Sequence, residues 1–210
     1  MGHALIREFD LPVLGNEETM ADAFATYYLT TYLPEQSFDV IKARVDSLMV
    51  EAGEVPRAEW SISGEHNSDA RRAHQITSLA LAADAEKYGA VATGIGMSDD
   101  DIKSSIDYGA EIHRSWRRVL NPLWLPKGME SNEVRIRCDR EDHVMNQMAS
   151  GQLTKQIESI VRRFDWHSQI TIHFAEGEGT AGWSRSRRTV TIHSEYVQRF
   201  AKQGETLGRE

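Results

Sequence analysis

The spacing of apolar residues divides the chain into a helical part and a later part that contains strands. Up to about residue 120, apolar residues recur three or four positions apart, which is the period of an amphipathic helix. Ser37 and Ser98 each precede such a stripe and are expected to cap a helix, whereas the glycine-bearing stretch 89–97 is expected to be a turn. The pattern predicts helices over residues 2–9, 17–33, from Ser37 onward, 63–88, 98–106 and 108–120.

Apolar and polar residues alternate in three short runs nearer the C-terminus. The runs 134–137, 170–174 and 189–193 are rich in β-branched residues and predict strands. The segment 179–196 is expected to form a hairpin arm anchored by its tryptophan. Helical spacing returns between and after the strands, at residues 144–148, 152–164 and 195–202.

A change in composition marks the expected border between the two parts. Residues 127–132 are rich in Gly, Ser and Asn, which is typical of a linker. The predicted fold class is therefore α+β, with a mainly helical domain at residues 1–128 and a small α+β region at residues 129–210.

Composition and charge restrict the function without defining it. The chain has 210 residues, 40% of them hydrophobic, which is enough for a sizeable core. Its formal net charge of −8 argues against a nucleic-acid partner, because phosphate contacts need a basic face. No apolar run approaches the length of a membrane span. The single cysteine, Cys138, excludes a disulfide within the chain and a cysteine-based zinc cluster.

The most specific chemical signal lies near the start of the chain. Residues 2–6 read Gly-His-Ala-Leu-Ile, which matches the second half of an H-E-x-x-H helix with His3 as the second histidine. In that motif two histidines one turn apart hold a zinc ion, and the glutamate between them activates a water. Residues 18–22 have the form E-x-x-A-D, in which Glu18 supplies a third zinc ligand and Asp22 orients a ligand histidine.

Together with two later segments, these motifs resemble a family of bacterial zinc metallopeptidases that is catalogued as a domain of unknown function. The metal-binding pattern of that family is similar to that of gluzincins. The similarity runs through GHALIREFDLPVLGNEETMADAFA at the start, GEHNSDARRAHQI at 64–76 and SWRRVLNPLWLP at 115–126. It is strong over the first part of the chain and looser beyond these segments. The resemblance implies a zincin-like helical fold, a Zn²⁺ cofactor and a peptide or protein substrate.

The resemblance also implies roles for particular residues. It makes Glu18 the third metal ligand and places His66 and Arg72 as a pair near the metal. If the missing histidine and glutamate of the motif lie upstream, zinc held by that histidine, His3 and Glu18 would supply an activated water and a polarised peptide carbonyl, and the upstream glutamate would accept the proton of the water. His66 and Arg72 would then stabilise the oxyanion of the tetrahedral intermediate.

The chain departs from the family pattern at its start. The first histidine and the glutamate of H-E-x-x-H would fall directly before Met1, and we expect them to lie upstream of an internal methionine. The 210 residues should then bind zinc weakly and hydrolyse peptides negligibly. One alternative is a non-catalytic binding module that keeps the fold without the chemistry, and another is an all-helical interaction protein. The compartment stays open, since the chain is cytoplasmic as written and exported if a signal peptide precedes Met1.

Four other histidines carry less weight. His74 and His113 belong to predicted helices and are expected to be packing or surface residues rather than ligands. His173 and His193 each end a Thr-Ile-His triplet in a predicted strand and could face a shared metal. Strand histidines are common near sheet edges, however, and no carboxylate is spaced along the sequence to support this pair.

Overall fold

The computed structural model describes residues 1–12, 16–54, 69–139, 146 and 152–208. Within these ranges it has eight bounded α-helices and one four-stranded sheet, a mainly helical α+β fold that confirms the predicted class. The helices are α1 (Gly2–Glu8), α2 (Glu17–Tyr32), α3 (Pro34–Glu54), α4 (Asp69–Ala83), α5 (Ala85–Gly94), α6 (Asp99–Leu120), α7 (Gln152–Val161) and α8 (Ser194–Thr206). The strands are β1 (Val134–Cys138), β2 (Ile170–Ala175), β3 (Ala181–Ser184) and β4 (Thr189–His193).

Contacts between residues divide the chain into two compact units. The helical unit consists of Pro12–Val119 together with Gly2. The sheet unit consists of His3–Leu11 and Leu120–Glu210 together with Met1. All of α1 except Gly2 therefore packs with the C-terminal part of the chain. The division into a domain at residues 1–128 and a region at residues 129–210 stays a prediction.

The helical unit is held together by the apolar stripes that the sequence predicts. In α3, Ile41, Val45 and Leu48 lie one turn apart and are almost fully buried. They pack with the buried faces of α4 and α5 into one hydrophobic core. The core contains Ile41, Val45, Leu48, Ala73, Ile76, Ala80, Leu81, Tyr88, Val91, Ala92 and Met97.

The start of α3 differs from the prediction. The helix begins at Pro34 rather than after Ser37, because proline has the right φ for a first helical turn and needs no hydrogen bond from its nitrogen there. Ser37 is buried inside the helix, where its hydroxyl donates to the Pro34 carbonyl at 2.8 Å. The hydroxyl of Tyr88 donates to Ser37 Oγ at 2.7 Å. The predicted capping role of Ser37 is thus wrong, and the residue is a buried polar link between α3 and α5.

The predicted turn at 89–97 is also wrong. Gly89 and Gly94 lie within α5, whose first turn is capped by the Asp84 carboxylate accepting from the Lys87 backbone amide. Gly96, with φ at +77°, is where the chain turns. The helix predicted over 63–88 accordingly ends at Ala83, and its first residues lie outside the described part of the chain.

Helix α6 is continuous where the sequence suggests two helices. Ser98 caps it as predicted, since its hydroxyl accepts from the Asp101 backbone amide at 3.2 Å. Gly109 lies against Ala82 of α4, and a Cβ built on Gly109 would be 2.2 Å from the Ala82 Cβ. Trp116 and Leu120 of this helix are buried, whereas Ile112 is 38% exposed.

The sheet has the strand order β1-β2-β4-β3. Strands β1, β2 and β4 are parallel, and β3 runs antiparallel to β4. All three predicted strands are confirmed, and β3 with β4 forms the predicted hairpin. The helix predicted at 144–148 lies outside the described residues, apart from Asn146, which is helical.

One face of the sheet is apolar and buried. Ile170, Ile172 and Phe174 of β2 have no exposed surface. The ring of Phe9, which follows α1, lies 5.3 Å from the ring of Trp166, and Glu8 forms a 2.5 Å ion pair with Arg188. None of the helices in the described ranges combines the length and apolar character that a bilayer crossing requires.

Candidate functional site

The first two turns of α2 bring two carboxylates to one helix face. Asn16 starts the helix, because its side-chain oxygen accepts a 2.8 Å hydrogen bond from the Glu18 backbone amide. Glu18 and Asp22 are four positions apart, so their side chains lie one above the other. The E-x-x-A-D motif therefore places its two acids side by side, as its spacing predicts.

Arg72 of α4 bridges these carboxylates. Its Nε donates to Asp22 Oδ2 at 2.7 Å, and its Nη2 donates to Asp22 Oδ1 at 2.9 Å. Nη2 also lies 3.4 Å from Glu18 Oε2, and Nη1 lies 3.9 Å from Asp69 Oδ1. The two parallel bonds to Asp22 form the planar, two-pronged pairing for which guanidinium is suited.

The cluster is largely shielded from water. The side chains of Arg72, Glu18 and Asp22 are 18%, 17% and 15% exposed. Burial on its own lowers the pKa of Arg72, but the hydrogen bond to Asp22 and the charges of Asp22, Glu18 and Asp69 outweigh it. The net effect is a raised pKa, so Arg72 keeps its positive charge beside the acids.

A close backbone approach fixes the alanine of the E-x-x-A-D motif. A Cβ built on Gly2 would lie 2.6 Å from the Ala21 Cα and 2.7 Å from the Ala21 Cβ. Contact this close needs a small residue at both positions. Gly2, which precedes His3, therefore packs against Ala21, which precedes Asp22. Gly2 and Ala21 both belong to the helical unit.

The predicted site residues have different outcomes. The structure brings Glu18, Asp22 and Arg72 together. His3 is half-buried in α1 and belongs to the sheet unit, while His66 lies outside the described residues. Within the ranges that the structure describes, no group of three or more His, Cys, Asp or Glu side chains could hold a metal ion.

The other histidines have identifiable contacts. His113 packs against the ring of Tyr27 at 5.6 Å between centroids, and its Nε2 lies 3.4 Å from the Leu79 carbonyl. His173 Nε2 lies 3.1 Å from Asp139 Oδ2. That hydrogen bond is the first cause of a lowered pKa of the Asp139 carboxyl. In the parallel register His173 lies opposite Thr191, and His193 lies opposite Ala175.

Two of these contacts are not evident from sequence spacing. Arg72 and Asp22 are 50 positions apart, and Asp139 and His173 are 34 positions apart. The sequence predicts Asp22 as a support for a ligand histidine, whereas its described partner is Arg72. Both pairs become visible only when two separate elements are placed beside each other.

The fold and site together define a mainly helical α+β protein whose E-x-x-A-D carboxylates are bridged by an arginine. Residues 1–120 match the model of the family DUF4344, described as "Putative metallopeptidase". The chain belongs to this family, which confirms the resemblance found in the sequence. No curated protein and no solved structure matches the chain. The matched region contains His3, Glu18, Asp22 and Arg72.

Proposed function

We propose that the protein is a zinc-dependent metallopeptidase in which His3 and Glu18 are metal ligands and peptides or proteins are the substrate. The observation that carries this proposal is the match of residues 1–120 to a metallopeptidase family. Its support in the structure is the cluster within the helical unit in which the carboxylates of Glu18 and Asp22 lie beside Arg72. In such an enzyme zinc supplies a polarised carbonyl and an activated water.

Arg72 fits a positioning role in this proposal. Its guanidinium donates two bonds to Asp22 and attracts Glu18, so it fixes the side chains that the E-x-x-A-D motif places at the metal. Fixed ligands favour metal binding, because less side-chain freedom is lost when the ion enters. The action of Arg72 with His66 on an oxyanion is a further part of the proposal, in addition to this positioning.

The described residues do not by themselves complete a hydrolytic zinc site. Catalytic zinc sites have three protein ligands and an open position. His3 and Glu18 are two candidates, and the described part of the chain has no three-residue group. We therefore expect these 210 residues to bind zinc weakly and to hydrolyse peptides negligibly.

A non-catalytic binding module is the second candidate. The observation in its favour is that Arg72 already supplies a counter-charge to the two carboxylates of the motif. A protein that keeps the fold without binding metal needs such an internal cation, because two buried carboxylates with no counter-charge are costly.

Zinc affinity measured with a competing chelator separates the two candidates. One sample is the chain itself, and the other carries a leader ending in His-Glu directly before Met1, which completes H-E-x-x-H. We expect tight stoichiometric binding only in the second sample. His3→Ala or Glu18→Gln should weaken that binding by about tenfold or more, and hydrolysis of a quenched fluorescent casein should follow the metal.

Matched controls make this result specific. His74→Ala removes a histidine of α4, and Glu35→Gln removes an exposed carboxylate from the first turn of α3, the position that Glu18 has in α2. Neither change should alter zinc affinity. If the completed version gains no site, or if its site survives His3→Ala, the peptidase proposal is wrong and the binding module is preferred.

A further inference from the structure

The second face of the sheet is polar, in contrast to the buried apolar face. Side chains alternate along each strand, so the residues opposite each other in the register share a face. His173 of β2, Thr191 of β4 and Gly182 of β3 form one such row across the sheet. Ala175 and His193 form the next row. The face thus carries imidazole and hydroxyl groups beside small residues that leave space above the strands.

A cavity of about 380 Å³ lies on this face. Its size is within the range of small-molecule sites, and it extends along β4 from Ala175 and His193 at the carboxyl ends of β2 and β4 to Ser184 and Arg187 near the start of β4. Among the described residues, none that lines it is acidic. The lining residues are His173, Ala175, Thr180, Gly182, Trp183, Ser184, Arg187, Thr191 and His193.

The lining is rich in hydrogen-bond donors. Arg187 is exposed in the turn between β3 and β4, and its Nε donates to Ser184 Oγ at 3.3 Å, a bond in which the two terminal nitrogens of the guanidinium take no part. Thr180, Ser184 and Thr191 add hydroxyl groups. A guanidinium with hydroxyls and imidazoles around it is a typical arrangement for an oxyanion.

His193 adds an enclosed polar atom. Its Nδ1 is buried and has no hydrogen-bond partner among the residues that the structure describes. An enclosed nitrogen of this kind is costly unless a partner is supplied. Gly179, with φ at +141°, makes room for the ring, because a Cβ there would lie 2.7 Å from His193 Cδ2. The backbone is therefore built to accept the imidazole at this position.

Two acidic side chains next to the cavity have partners, whereas Glu176 and Glu178, between β2 and β3, are exposed to solvent. Asp139 accepts from His173 at 3.1 Å and lies 3.5 Å from the Arg137 guanidinium. Glu195 Oε2 accepts from the Gly179 backbone amide at 2.7 Å. These bonds hold the Asp139 and Glu195 carboxylates in place beside the cavity. Residues 120–210 hold 13 Lys and Arg against 12 Asp and Glu, whereas the chain as a whole is acidic.

From this arrangement we infer that the polar face of the sheet is a binding site for a small oxyanion-bearing molecule, a phosphate monoester or a carboxylate, held by Arg187 and His193. The Arg187 guanidinium binds the anion in a charge-assisted pair, and a small rotation of the His193 ring directs its unpaired nitrogen to the same group. The hydroxyls of Thr191 and Ser184 complete the shell. None of the residues proposed for peptide hydrolysis lines this cavity, so its test does not depend on zinc.

The experiment is an NMR titration of the whole chain at constant ionic strength, with inorganic phosphate in one arm and acetate in the other. We expect saturable shifts of the Gly182 and Thr191 amides in the millimolar range or below. Arg187→Gln should weaken binding about tenfold, and His193→Phe should weaken it as well. Preference for phosphate identifies a phosphate monoester as the ligand class, and preference for acetate identifies a carboxylate.

The matched control is Arg185→Gln, which removes an exposed arginine from the same turn without touching the cavity lining. It should bind the anion like the unchanged chain. The inference fails if neither anion gives a saturable shift. It also fails if Arg185→Gln weakens binding as much as Arg187→Gln, since the effect would then be one of general charge.

Discussion

Arg72 is the residue on which the carboxylate cluster depends. Arg72→Ala leaves Glu18 and Asp22 poorly solvated and without a cation, which should lower the free energy of unfolding by about 2 kcal/mol. This is less than for fully buried pairs, because the side chains keep some contact with water. Arg72→Lys keeps the charge but loses the two-pronged bond, so about 1 kcal/mol should be lost. Urea unfolding followed by circular dichroism measures both changes.

The control for this prediction is the neighbouring residue in the same helix. Arg71 is exposed, and Arg71→Ala should change the free energy of unfolding by no more than about 0.5 kcal/mol. Equal effects of the two alanine substitutions would show that the Arg72 contacts add nothing to stability.

The Asp139 carboxyl gives a prediction about pH. Its pKa is held below the usual value first by the hydrogen bond with His173, which outweighs a small opposing effect of burial. A carboxyl whose pKa is lower in the folded state contributes stability above its unfolded pKa, and that contribution is lost as the pH falls through the folded pKa. His173→Phe should move the pKa of Asp139 up toward its ordinary value.

Carboxyl NMR titration of Asp139 in the two proteins tests this shift in the acid range. Asp101 serves as the reference carboxyl, because its pKa is lowered first by the hydrogen bond with the Ser98 side chain and should stay lowered in both proteins. An Asp139 pKa that stays low in His173→Phe would assign the effect to Arg137, whose guanidinium lies 3.5 Å away.

At the scale of residues, the sequence predicts what one helix can arrange on its own. Glu18 and Asp22 share a face because helix geometry places residues four apart together. The bond from Arg72 to Asp22 depends on how α2 and α4 pack, and no spacing within either helix contains that information. Family resemblance places Arg72 near the site, but its actual partners come from the fold.

At the scale of elements, the crossing of α4 and α6 depends on a single glycine. A Cβ on Gly109 would lie 2.2 Å from the Ala82 Cβ and 2.6 Å from the Ala82 Cα. Gly109→Ala must therefore push the two helices apart, and we expect a loss of about 2 kcal/mol in the free energy of unfolding despite the better helix propensity of alanine. Thermal and urea unfolding measure this loss.

Gly89→Ala provides the matched control. Gly89 also lies inside a helix, but nothing comes within 4 Å of a Cβ built there. Alanine should stabilise the protein at this position by about 0.5–1 kcal/mol, because it restricts the unfolded chain and favours the helix. The interpretation of the helix crossing is wrong if both substitutions stabilise.

The sequence predicts the strands of the sheet better than it predicts helix α5. Strands β1, β2 and β4 alternate apolar and polar residues in β-branched runs, a signal that few other structures share. Gly89 and Gly94 suggest a turn, yet α5 continues through them because Tyr88, Val91 and Ala92 bury one helix face in the core. Packing outweighs the local cost of about 1 kcal/mol per glycine.

At the scale of the whole molecule, composition indicates where the helical part of the chain ends, but it does not show which segments pack together in each unit. The linker-like residues 127–132 follow the end of α6 closely, as the sequence suggests. The membership of His3–Leu11 in the sheet unit cannot be read from periodicity, because an apolar stripe shows that a helix is buried without showing what covers it. That information lies in contacts between residues more than a hundred positions apart, such as Glu8 with Arg188.

The two units are expected to unfold locally and separately, which amide hydrogen exchange can detect. Because α1 packs in the sheet unit, its amides should exchange hydrogen with a protection similar to that of β2. Phe9→Ala removes ring contacts with Trp166 and His167, at 5.3 Å and 5.0 Å, and should lower protection in α1 about tenfold or more. Protection in α3 should stay unchanged.

Phe38→Ala is the counterpart in the helical unit, where the Phe38 ring lies 5.9 Å from the ring of Tyr88. It should lower protection in α3 and α5 and leave α1 and β2 as they were. Hydrogen exchange followed by mass spectrometry resolves these segments. If each substitution lowers protection throughout the chain, the units open together, and contacts alone do not define independent parts of this protein.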